Sequence, residues 1–295
     1  MKQLSYHSRF ILVLLFTLLN TLPICSQAAT PRYRIAACDW MMLKRQKLGE
    51  FKLAHELGAD GVEVDMGGLG KRVLFDNQLR EPQQAEKFQA AARQYGVAVP
   101  SMAMSGFFAQ SFLTRDNYQD LLKDCFQTMK LFGSKVAFLP LGGSGKDWQQ
   151  EGCAAYQQMV SRLRTAGEMA KGITIGIRTG MGAKFDKKLL KKVGSSQIKV
   201  YYNFQDAADH HRDICKELRK LGAQRIVQIH ASNTDSVNLQ EDLEINLPKI
   251  RKTLDKMKWS GWLVVERSRD VKRVRDVKYN FGRNIAYLKQ VFQER

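Results

Sequence analysis

Short apolar runs and amphipathic stretches alternate along the chain. Tyr33 to Asp39, Gly61 to Asp65, Val97 to Met104, Lys135 to Leu139, Ile173 to Arg178, Ile198 to Asn203, Arg225 to His230 and Gly261 to Glu266 read as strands. They are continuous apolar segments, as expected of parallel strands buried on both faces. Helical spacing marks Leu48 to Leu57, Pro82 to Tyr95, Asp116 to Phe132, Cys153 to Lys171, a Lys-rich segment ending near Val193, Asp206 to Leu221, Leu247 to Met257 and Val277 to Phe292. Pro82 suits a first helical turn, and Gly133 and Gly222 suit helix ends. Strict alternation through eight strand–helix units predicts a single (β/α)8 TIM barrel. A doubly wound open sheet would carry a glycine-rich phosphate loop after its first strand. Asp39-Trp40-Met41 is not one, and Gly67-Gly68-Leu69-Gly70 follows the second strand without the required spacing.

The first residues follow another pattern. Lys2 and Arg9 precede an apolar run from Phe10 to Leu22, and Ser26-Gln27-Ala28 offers small residues where a signal peptidase reads. This predicts a cleavable signal peptide over residues 1–29, ahead of a barrel over residues 30–295. The run is short for a membrane span of about 20 residues, and Pro23-Ile24 is a poor approach to lipidation at Cys25. The expectation is an exported, periplasmic protein with no stable membrane span after cleavage. Cys38, Cys125, Cys153 and Cys215 remain, without metal-like spacing, and are expected as buried free thiols.

Charge adds a second constraint. Lys and Arg number 47 against 29 Asp and Glu, a formal balance of +18. The excess is visible at Lys184, Lys187, Lys188, Lys191 and Lys192, and again at Lys272, Arg273, Arg275 and Lys278. Helical spacing favours solvated faces; the functional alternative is attraction to anionic substrates or surface polymers. No basic–aromatic recognition motif accompanies the charge, so nucleic acid is not an expected partner.

In such a barrel the C-terminal strand tips converge on one face, where catalytic groups sit. The polar residues there are Asp39, Glu63, Asp65, Ser105, Arg178, Asn203, His230 and Glu266, with Trp40, Lys44, Arg45, Asn233, Asp235 and Arg267 in the adjoining loops. Alternate strand residues face the interior, so Glu63 and Asp65 share one face and Glu63 lies deeper. A buried carboxylate needs a partner, and Arg178 is the expected cation. Histidine and a carboxylate on adjacent strands suit divalent-metal binding or acid–base chemistry.

Three segments carry a resemblance: Asp39-Trp-Met-Met-Leu-Lys-Arg45, Gly61-Val-Glu-Val-Asp-Met-Gly67 and Gly261-Trp-Leu-Val-Val-Glu-Arg-Ser268. With the endings at Asn203 and His230, they resemble the xylose isomerase-like TIM-barrel superfamily, in particular exported bacterial sugar phosphate isomerase/epimerase homologues. The resemblance implies a divalent metal held by Glu, Asp, His and Glu on strands five to eight, the two glutamates exchanging protons with a sugar carbon beside a carbonyl. His230 and Glu266 match that pattern, whereas Arg178 and Asn203 stand where the fifth-strand Glu and sixth-strand Asp belong. Three carboxylates become one and a permanent cation is added, so a tightly held Mn, Mg or Zn is disfavoured, and a divalent metal stays open as the lesser expectation. Glu266 and His230 are then the expected catalytic pair and the residual metal candidates, with Asp206 or Asp209 as replacement carboxylates. Arg178, Asn203, Asp39, Trp40, Asp65, Asn233 and Arg267 are expected to bind substrate, with Arg178 clamping the anion of an acidic sugar. Two functions follow: a carbohydrate isomerase, epimerase or related lyase, or a non-catalytic sugar-binding barrel. A nuclease of the endonuclease type needs several zinc ions, and only His55, His210, His211 and His230 lie in the barrel segment. None of these features specifies an oligomeric state.

Overall fold

The computed structural model describes residues 31–141 and 146–294. The segment expected as a signal peptide lies outside the described residues. Eight parallel strands close in chain order, β1 through β8 and back to β1. They are β1 Tyr33–Cys38, β2 Gly61–Asp65, β3 Ser101–Ala103, β4 Val136–Pro140, β5 Thr174–Arg178, β6 Ile198–Asn203, β7 Ile226–His230 and β8 Gly261–Val265. The outer helices are α1 Gly49–Glu56, α2 Pro82–Gln94, α3 Tyr118–Phe132, α4 Ala154–Met169, α5 Ala183–Val193, α6 Phe204–Ala208, α7 Ile214–Leu221, α8 Leu247–Lys256 and α9 Val277–Phe292. The expected TIM barrel is therefore present. No helix among the described residues is long and apolar enough to cross a membrane.

Local chemistry explains the boundaries. Pro82 occupies the first turn of α2, and Gly133 and Gly194 end α3 and α5 in the left-handed region. Two expected elements differ. The strand expected over Val97 to Met104 contracts to Ser101–Ala103, because Pro100 has no N–H to add to a ladder; Ala98 makes only an isolated bridge to Gly61. The helix expected over Asp206 to Leu221 is two helices. The chain turns at His211, whose φ is 50°, and Asp213 then caps α7 by accepting from the Lys216 N–H at 2.9 Å.

Two apolar layers hold the barrel. The larger fills the space between strands and helices. The smaller lies inside, where Ala36, Cys38, Ala103, Phe138, Tyr201 and Val264 pack together. Cys38, Cys125 and Cys215 are buried free thiols, as expected; Cys153 is half-buried at the start of α4.

Candidate functional site

The deepest polar layer centres on Glu63, which is fully buried. Its Oε2 accepts from Ser101 Oγ at 2.6 Å and from the Tyr201 hydroxyl at 2.7 Å. Its Oε1 lies 2.8 Å from His230 Nε2, so that nitrogen carries the hydrogen. The cationic partner expected for Glu63 was Arg178. The structure instead supplies three donors from β3, β6 and β7, and Arg178 is engaged one layer higher. Phe138 lies edge-on to His230, with centroids 4.7 Å apart, and Trp40 edge-on at 6.2 Å, so the imidazole is held by aromatic walls as well as by Glu63.

Above this layer His230, Glu266, Asn203 and Arg178 come together at the tips of β5 to β8. His230 Nδ1 has no hydrogen-bond partner and lies 3.7 Å from Glu266 Oε2. That oxygen accepts from Asn203 Nδ2 at 3.1 Å and from Arg178 Nη1 at 3.3 Å. The rest of the Arg178 fork is bidentate on Asp206, with Nε to Oδ2 at 2.9 Å and Nη2 to Oδ1 at 2.7 Å. Asp206 can reach it because α6 begins directly after β6, with Asn203 Oδ1 capping the Gln205 N–H at 2.8 Å. Burial works against the Arg178 cation, yet Glu266 and Asp206 outweigh it and the guanidinium holds its proton more firmly than usual. Burial also pushes the Glu266 carboxyl up, but His230, Arg178 and Asn203 outweigh it and hold Glu266 below its ordinary range.

The Arg178 fork, expected to clamp an anion, faces a carboxylate of its own chain. Other expected binding residues are likewise committed to the scaffold. Asp39 is fully buried and accepts from the Gln46 N–H at 3.0 Å. Asp65, also fully buried, accepts from the Gly67 N–H at 2.8 Å and the Ser105 N–H at 3.2 Å, and pairs with Arg45 at 3.1 Å. Gly67 has φ of 90° and a side chain there would overlap the Asp76 carbonyl, so only glycine permits this turn. Asn233 is spent within its own loop on Asp242 and Glu244. Arg267 shares Asp235 with Arg269. Trp40 keeps partial exposure at the mouth.

Sequence reasoning missed two features. Phe108 is 38% exposed and packs against Arg178 at 5.6 Å and Phe138 at 5.9 Å, forming an aromatic wall opposite Asp206. Phe107-Phe108 reads as ordinary core, and only Phe107 is core. The second is Glu50 of α1, buried with both carboxylate oxygens unpartnered by any N–H or O–H of the surroundings, beside the equally unpartnered Oδ1 of Asp39. Burial and Asp65 push the Asp39 carboxyl up to about 8, and burial and Asp39 push Glu50 well above the usual range. Both carboxyls therefore favour their protonated form.

The donor set does not suit the divalent ion that the resemblance implies. Glu266 Oε2 already receives two N–H donors, a fixed cation lies 3.3 Å away, and only the imidazole Nδ1 remains beside it. Among the described residues no three His, Cys, Asp or Glu side chains converge as a metal site. An incoming cation would meet the guanidinium before it found a third ligand.

A family profile described as xylose isomerase-like TIM barrel matches residues 51–291. No curated protein matches the sequence significantly. Among solved structures, the chain is similar to D-psicose 3-epimerase in the presence of D-fructose, at 12% identity and TM-score 0.70 over 88% of this chain and 100% of that one. It is also similar to 3-keto-D-glucoside 4-epimerase from E. coli, at 14% identity and TM-score 0.67 over 88% and 99% of the two chains. A sugar phosphate isomerase/epimerase from Parabacteroides distasonis gives 13% identity and TM-score 0.65 over 89% and 95%. At such identities the likeness is one of fold.

Proposed function

This chain belongs to the xylose isomerase-like TIM-barrel family, and on that premise we propose that it is a sugar isomerase or epimerase in which Arg178 takes the electrostatic role of a metal ion. The observation that carries the reading is the position of that guanidinium, 3.3 Å from Glu266 at the strand tips and fixed bidentately by Asp206. Removing a proton from a carbon next to a carbonyl leaves an enediolate, whose oxygen needs a cation or strong donors. Arg178 Nη1 and Asn203 Nδ2 already point at the same oxygen of Glu266 and suit a second anion displacing it. Glu266 removes the proton and returns it to the neighbouring carbon on the same face, or to the original carbon after the enediolate turns over in the site; His230 Nδ1, an unpartnered polar atom beside it, exchanges the oxygen-bound proton. Trp40 and Phe108 offer apolar walls to the sugar C–H faces. Because Asp206 and Glu266 outnumber the one cation between them, an uncharged keto- or aldose sugar fits better than a uronic acid.

The test is deuterium uptake at the carbon beside the carbonyl, followed by NMR in heavy water across a panel of neutral ketoses and aldoses. Uptake by the wild type, lost by a factor of about 100 or more in Glu266→Gln, is expected. A second reading is a barrel that binds sugar without turning it over, and the depressed proton affinity of Glu266 favours it, since a carboxylate held below its usual range is a weak base. Sugar binding without any deuterium uptake would select that reading.

A further inference from the structure

At the opposite end of the barrel, where strands begin, a groove of about 460 Å³ runs between the second half of α5 and the starts of β6 and β7. Lys187, Leu190, Lys191, Ser195, Lys199 and Arg225 define it, and no acidic side chain among the described residues lines it. Two acids of the surrounding elements are engaged elsewhere. Asp186 of α5 is 4% exposed and accepts from the Thr179 hydroxyl, and Glu217 of α7 pairs with Arg212 at 3.4 Å. Lys188, on another face of α5, pairs with Glu151 at 2.7 Å. By contrast Lys187, Lys191 and Lys199 have no ion-pair or hydrogen-bond partner among the described residues. Arg225 spends one nitrogen on the Leu221 carbonyl. Lys187 and Lys191 stand one turn apart, a spacing at which like charges destabilise a helix. A concave surface lined by one sign of charge also concentrates its field outward.

We propose that this groove is a binding site for a short polyanion carrying two or more oxyanion groups, such as adjacent phosphates or the carboxylates of a uronate oligosaccharide. Lys187 and Lys191 meet one anionic group, Lys199 and Arg225 the next, and Ser195 donates a hydroxyl between them. The free side of the Arg225 fork suits a planar or tetrahedral oxyanion. Among the described residues no aromatic side chain lines the groove to stack a nucleobase, which separates this ligand class from nucleic acid. The site lies away from the mouth and stands whether or not the proposed catalysis does.

Calorimetric titration of the full chain with tripolyphosphate and with trigalacturonate, at low salt, tests the assignment. At least one probe binds, and Lys187→Glu with Lys191→Glu weakens it by about tenfold or more. Lys272→Glu with Arg273→Glu makes the same change in net charge elsewhere and leaves the affinity within about twofold. Whichever probe binds more tightly identifies the oxyanion. Failure of both probes to bind, or equal weakening by the two double variants, overturns the proposal. Lys199→Gln with Arg225→Gln repeats the test without altering α5.

Discussion

Glu63 shows how a single carboxylate is tolerated inside a barrel: it is met by Ser101, Tyr201 and His230 together. Glu63→Ala leaves three buried donors unanswered and is expected to cost about 3–5 kcal/mol; Glu63→Gln, which keeps the shape but turns a donor toward donors, costs about 1–3 kcal/mol. Urea unfolding midpoints measure both. The Asp39–Glu50 pair makes a prediction in pH. Asp39 titrates near 3.8 in an ordinary setting and near 8 in the fold, so the folded chain holds a proton that the unfolded chain releases between those values. Its contribution is complete below about pH 4 and is lost as pH rises through about 8. Asp39→Asn should flatten that decline, so that stability measured by denaturant titration at pH 8.5 rises relative to wild type while at pH 5 it does not. Sequence patterning exposed Glu63, Arg178, Asn203, His230 and Glu266 because each ends or nearly ends an apolar run. Partners were hidden where they come from other elements. Asp206, expected as a replacement carboxylate, comes from α6 as the partner of Arg178; Phe108 comes from the segment after β3 and Glu50 from α1, and none of these contacts has a sequence spacing that betrays it.

Strands were easier to read than the segments joining them. All eight are present because continuous burial leaves a local mark, and α9 begins and ends at Val277 and Phe292 as its pattern implies. The helix expected across Asp206 to Leu221 broke because backbone geometry at His211 and the cap at Asp213 override amphipathic spacing. β5 contains a further element-scale device. Gly176 is the interior residue of that strand, and a Cβ there would lie 2.8 Å from Val227 and 2.9 Å from the Tyr201 ring. The missing side chain lets β6 bring Tyr201 across to Glu63. Gly176→Ala should therefore cost about 1–3 kcal/mol and, by displacing Tyr201, alter the near-UV circular dichroism of the folded protein. Unchanged stability and an unchanged spectrum would show that β5 and β6 can separate to admit the methyl group.

At the scale of the whole molecule, the fold supplies a ring of strand tips and the chain decides what occupies its centre. The family resemblance would place four metal ligands there; this chain places a guanidinium between Glu266 and Asp206. Placing at both positions the acids that the resemblance implies tests that choice. Arg178→Glu with Asn203→Asp should lower stability without metal, since four acids then crowd one site, and manganese should raise the thermal midpoint. The gain is about 2.7 kcal/mol at a hundredfold excess over the dissociation constant. Wild type should show no such shift, and a chelator should leave its thermal midpoint unaltered. Differential scanning fluorimetry reads all of these. A positive charge built into the backbone's own side chain is delivered at translation and never needs loading. It cannot be stripped by a competitor for trace metals, and it cannot be exchanged for an ion of different hardness. On the proposed reading, Arg178 trades adjustable reactivity for permanence.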